Sequence, residues 1–87
     1  MKQISKKLTY NFIKAKRAYN ACGIDEPKKK SKLLDKSTDA WHKLFMTNVG
    51  YWETELIESL ACVNDGKESI DIIYKTLAMF GIEVVDE

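Results

Sequence analysis

Proline is almost missing from this chain, occurring once, and only four glycines punctuate its 87 residues. Without regular turn clusters separating alternating apolar residues, an all-β domain is not expected. Cysteine is equally scarce: Cys22 and Cys62 are too few for a disulfide scaffold. With the single histidine, His42, they are the only thiolate or imidazole ligands, and their spacing matches no zinc pattern. No metal and no other cofactor is expected. Apolar runs are short, none approaching the roughly 20 residues that span a bilayer, so no integral membrane association is read. Nor does a run of signal-peptide length follow Met1-Lys2, and the expectation is a reduced, cytoplasmic protein. A Gly-rich phosphate loop, a G-x-S-x-G elbow and an H-E-x-x-H helix are all lacking. A Cys–His nucleophile pair has no local support either, so the chain is not expected to be an enzyme.

What remains is ordinary globular material, 45% apolar and 31% charged. A chain of this length holds one core, read as a single domain over residues 1–87. The net charge of +1 conceals a lopsided distribution. Residues 1–43 carry twelve Lys or Arg against four Asp or Glu; residues 44–87 carry two against nine. Either a basic surface awaits an acidic partner, or the two halves neutralise each other on folding.

Helical periodicity dominates the pattern. Ile4, Leu8, Phe12, Ala15, Tyr19 and Cys22 recur at steps of four and three, placing them on one face of a first helix. Gly23 then supplies a left-handed ending, with Ile24 as its apolar contact. Asp25-Glu26-Pro27 reads as a helix start, followed by a lysine run anchored only by Leu33 and Leu34. Ser37-Thr38-Asp39 reads as a further cap. Beyond it Trp41, Leu44, Phe45, Val49, Trp52, Leu56, Leu60 and Val63 keep one stripe at about 100° per residue. This favours a continuous long helix, with a kink or break at Gly50 as the alternative. Asp65, with Glu68 three residues on, caps a last helix whose Ile70, Ile73, Leu77 and Phe80 face a core. Gly81-Ile82 repeats the first ending, and the tail 83–87 either packs back or lies extended. The fold class expected is all-α: a compact bundle of three or four helices, one of them long or kinked near Gly50.

Two groups of side chains suggest binding. Lys2, Lys6, Lys14, Lys16 and Arg17 lie away from the apolar face of the first helix, and Lys28, Lys29, Lys30 and Lys32 follow. These nine are the candidate partner-binding residues. Arg17 is the only arginine, so bidentate reading of bases is disfavoured and any nucleic-acid binding would be nonspecific and salt-sensitive. The same amphipathic helix could lie on an anionic membrane. Glu53, Glu55 and Glu58 fan around a helix as a solvated face, and Cys22 and Cys62 read as reduced core residues. Trp41 and Tyr51-Trp52 read as core, although the long apolar stripe leaves room for a groove or for self-association. The function expected is that of a small regulatory, accessory or inhibitory protein bound to a larger protein or nucleoprotein. Nonspecific nucleic-acid binding through the basic first helix is the alternative.

Overall fold

In the computed structural model, which describes residues 2–86, the two ends of the chain meet. Strand β1 (Lys2–Ser5) pairs in parallel with β2 (Ile82–Val85), in the register Lys2↔Ile82 through Ser5↔Val85. Parallel strands require a long crossover, and here four helices supply it. Ile4 and Ile82 are buried beneath the pair, and Gly81, at φ +82°, turns the chain from the last helix into β2. Most of the chain is helical, as expected, but the strand pair departs from an all-α bundle. Val84 and Val85 are β-branched and extended beside a four-residue partner, and that pairing joins sequence ends that no local pattern links. Glu87, the last residue of the tail, lies outside the described residues.

Helix α1 (Lys6–Ala21) begins two residues after Ile4, which therefore belongs to the strand. Ser5 caps it, its Oγ accepting the Leu8 N–H at 3.1 Å, while the Thr9 hydroxyl donates to the Ser5 carbonyl at 2.7 Å. Its buried face comprises Thr9, Phe12 and Ile13, so the axis is rotated toward Ile13 relative to the expected stripe. At the other end Cys22 is extended and its N–H bonds the Tyr19 carbonyl. Gly23 is not left-handed and Ile24 is 87% exposed, so the expected glycine ending is not formed there.

Helix α2 (Pro27–Leu44) is longer than expected. Pro27 sits at its start, and the lysine run forms its first turns. Ser37-Thr38-Asp39 lies mid-helix rather than at a cap, because the good helix formers around it leave nothing to break the hydrogen-bond ladder. The break comes later. A π-helical turn at Phe45–Val49 leads to Gly50, whose φ of +90° ends it, and α3 (Tyr51–Cys62) starts on a new axis. The Thr54 hydroxyl and N–H both donate to the Gly50 carbonyl, at 2.8 and 3.1 Å. The long continuous helix is thus replaced by its kinked alternative, and the phase is reset. Thr54, Ile57 and Ala61 now point inward, whereas Trp52 is 58% exposed. The Val49 side chain, part of the expected stripe, lies outside the described residues, as does that of Asn48.

A short 3-10 turn (Val63–Gly66) precedes α4 (Ile70–Met79). Asn64 and Asp65 both adopt left-handed φ, 55° and 57°, so Asp65 turns the chain instead of capping a helix, and Ser69 takes the N-cap position. Ile73 and Leu77 are buried as expected, but Phe80 is exposed. The core gathers Phe12 and Ile13 of α1, Leu44 of α2, Ile57 and Ala61 of α3, and Ile73 and Leu77 of α4 under the strand pair.

Candidate functional site

The nine candidate cations divide into those the fold uses and those it leaves outside. Lys2 Nζ donates to Glu53 Oε1 at 2.9 Å, and Lys16 Nζ reaches Glu58 Oε1 at 3.0 Å. Glu53 and Glu58 are accordingly half-buried ion-pair partners, not the solvated fan expected. The Lys2 hydrogen bond, helped by a backbone hydrogen bond, holds the Glu53 carboxyl below its ordinary value, against a smaller opposing effect of burial. Arg17 is a structural clamp: Nε donates to the Ala61 carbonyl at 2.9 Å and Nη2 to the Glu68 carbonyl at 2.8 Å, tying α3 to the loop before α4. Lys30 donates to the Cys22 carbonyl and lies 4.8 Å from the Tyr19 ring centre. Lys6 approaches the exposed Asp86 at 3.7 Å, a loose surface contact. The two charged halves therefore neutralise each other in part. Lys28, Lys29 and Lys32 remain exposed and form no ion pair among the described residues. Lys14 also faces solvent, resting 5.3 Å from the Tyr10 ring centre.

Of these outward cations Lys14 borders a groove of about 440 Å³ between α1 and α2. The two helices form a hairpin, joined through residues 22–26. Leu8, Ala15 and Ala18 from α1 and Leu33 and Ala40 from α2 line its floor, an apolar surface in which the three alanines leave room for a close approach. Lys14, Lys36 and Lys43 stand along it, with Asp39 pairing Lys43 at 3.1 Å. Helical geometry explains the row: every seventh residue returns to within about 20° of the same face, so Lys29, Lys36 and Lys43 align, with Lys32 one turn from Lys36. Lys36 and Lys43 were missed among the candidate residues. Their heptad spacing from Lys29 is the signal that would have found them.

A second exposed surface lies where α2 gives way to α3. The Trp41 and Phe45 rings stack with centres 5.3 Å apart, and Tyr51 meets Trp41 edge-on at 6.1 Å. Trp52, the next residue, meets Phe80 of the α4 end at 6.2 Å. Met46 and Met79 are 78% and 85% exposed beside them. Only Trp41 of the expected core aromatics is half-buried; Tyr51 and Trp52 face outward.

The thiols also depart from expectation. Cys62 is exposed and Cys22 partly so, and both are free. Cys62 ends α3, where Asn20 Nδ2 of α1 donates to its Sγ at 3.2 Å, and Cys22 caps the end of α1, its Sγ donating to the Gly23 carbonyl at 3.7 Å. Among the described residues no group of three His, Cys, Asp or Glu could hold a metal ion, and no helix is long and apolar enough to cross a membrane. Comparison of the chain with protein-family models, with curated proteins and with solved structures finds no match.

Proposed function

We propose that the chain is a small non-catalytic accessory protein that binds an acidic segment of a larger protein along the α1–α2 groove. The observation that supports this reading best is the combination of an apolar floor with a lysine border in one concavity. An amphipathic helix with an acidic flank would bury its apolar side on Ala15, Ala18, Leu33 and Ala40 and set carboxylates against Lys14 and Lys36. A phosphate backbone would meet the same cations but leave that floor uncovered. Of the nine candidate residues, Lys14, Lys28, Lys29 and Lys32 are left for the partner, with Lys36 added, and Lys6 makes its loose surface contact with Asp86. Lys2, Lys16, Arg17 and Lys30 act within the fold.

The test compares a synthetic acidic amphipathic helix with a DNA duplex of similar charge, titrated at two salt concentrations. The expected result is peptide binding that weakens only moderately with salt, since apolar contact does not depend on counterions. Lys14→Glu with Lys36→Glu should abolish it while melting stays unchanged. Tighter binding to the duplex, falling steeply as salt rises, would instead establish nucleic acid as the partner.

A further inference from the structure

We infer that the aromatic band at the α2–α3 junction is a self-association surface, occupied by the same band of a second copy of this chain. Three observations argue for that occupant. First, the area fits. Phe45, Met46, Tyr51, Trp52, Met79 and Phe80 are exposed by 38, 78, 63, 58, 85 and 54%. At about 150–250 Å² per large side chain they leave roughly 750 Å² to be covered. A standard interface buries about 800 Å² per partner, and an ordinary monomer's largest apolar patch is only about 300–600 Å².

Second, the band carries no charge. Residues 44–52 form the longest stretch of the sequence without Lys, Arg, Asp or Glu, and the segment 76–82, which contributes Met79 and Phe80, is also free of them. In a two-fold contact the same patch serves both subunits, so a charge near the axis would meet its own copy. A neutral band avoids that repulsion. Third, its borders are already neutralised: Lys43 pairs with Asp39 on one side, and Lys2 with Glu53, next to Trp52, on the other. Neither an anionic lipid surface nor a charged partner finds a net attraction there. The cation-bordered groove between α1 and α2 shares the Lys43–Asp39 pair with the border of the band but none of the band's own side chains, and its floor stays available in the dimer. This inference does not depend on the function proposed for that groove.

The geometry also explains why the side chains are presented outward. The π-helical turn and the positive φ of Gly50 set α3 on a new axis, and Tyr51 and Trp52 open it on the solvent side. Such turns are frequent at functional sites.

The experiment is sedimentation equilibrium of the whole chain over a range of concentrations, alone and with charged variants. The unaltered protein should show twice its 10.0 kDa chain mass, dissociating on dilution with a micromolar or tighter constant. Met46→Lys and Met46→Glu, each at an exposed position that leaves the fold intact by circular dichroism, should each raise that constant by about tenfold or more. Mixing the two should recover association at low salt, which misfolding cannot mimic. Trp52→Ser, read by the same method, is the uncharged check. A monomer at every concentration overturns the inference, as does a dimer indifferent to the Met46 and Trp52 changes. A monomer that binds neutral phosphatidylcholine vesicles through the band would overturn it in favour of a membrane.

Discussion

Arg17 sits at the division between cations that serve the fold and cations that serve a partner. Its two hydrogen bonds, 2.9 Å to the Ala61 carbonyl and 2.8 Å to the Glu68 carbonyl, bridge segments 44 and 51 residues away. Its stem also lies against Gly66, where an added Cβ would come within 3.2 Å of Cγ. Arg17→Met keeps most of that stem and removes both donors. Hydrogen bonds from a charged donor contribute about 1.5–3 kcal/mol each, and partial exposure of the side chain places these at the low end. The expected loss is about 3 kcal/mol, a fall of roughly 12–24 °C in Tm for a domain of this size. Arg17→Lys retains the charge but offers a point donor that reaches one carbonyl at a time, so about half the loss should remain. Urea denaturation with an unchanged slope would read both variants as changes in stability alone. An Arg17→Met protein within about 0.5 kcal/mol of the unaltered one, the scatter of ordinary surface substitutions, would refute the clamp.

Three further outcomes follow from particular residues. Gly50→Ala should destabilise by about 1–3 kcal/mol, because alanine resists a φ of +90° and its Cβ would collide with the Glu53 carboxylate that pairs with Lys2; thermal melting of the two proteins checks it. Native-state alkylation should label Cys62 rapidly and Cys22 more slowly, in line with their exposure, and equal resistance of both thiols would contradict the helix-end positions that expose them. Because the folded Glu53 carboxyl titrates below its ordinary value of 4.5, its contribution is present above that value and lost as pH falls through the folded one. The stability difference between the unaltered protein and Glu53→Gln should therefore shrink on acidification below about pH 4.5, and a difference that grows would reverse the sign of the argument.

Much of the helical content was legible because its signals are local. The spacing of Leu8, Phe12 and Tyr19, and of Ile70, Ile73 and Leu77, depends only on the helical period, and those elements appear where the period places them. Gly81 ends α4 with a positive φ as glycine chemistry suggests. The strand pair was hidden because β1 and β2 are four residues each, too short for alternation to register, and their pairing joins opposite ends of the chain. The stripe from Trp41 to Val63 misled for a different reason. Periodicity assumes one unbroken helix, and the π turn with Gly50 divides it, so residues in phase on paper differ in burial: Leu44, Leu56 and Leu60 meet the core while Trp52 is exposed.

The charge pattern was legible as an asymmetry but not as an allocation. Nothing in the sequence distinguishes Lys16, paired with Glu58, from Lys14, turned to solvent, because the acid lies 42 residues downstream on α3. Nor could composition reveal that Arg17, the best partner-binding residue on chemical grounds, is spent on two backbone carbonyls. The row Lys29, Lys36 and Lys43 was readable from its heptad spacing, once the lysine run and the segment after Ser37 are known to share one helix.

The most direct test of the central claim is a heteronuclear NMR titration of the isotope-labelled chain with the acidic amphipathic peptide. Shifts should concentrate at Ala15, Ala18, Leu33 and Ala40, the groove floor, with smaller ones at Lys14 and Lys36 and none at Arg17 or Lys16. Shifts confined to the exposed Lys28 and Lys29 at the start of α2, or spread over the aromatic band while the floor stays unmoved, would contradict docking in the groove.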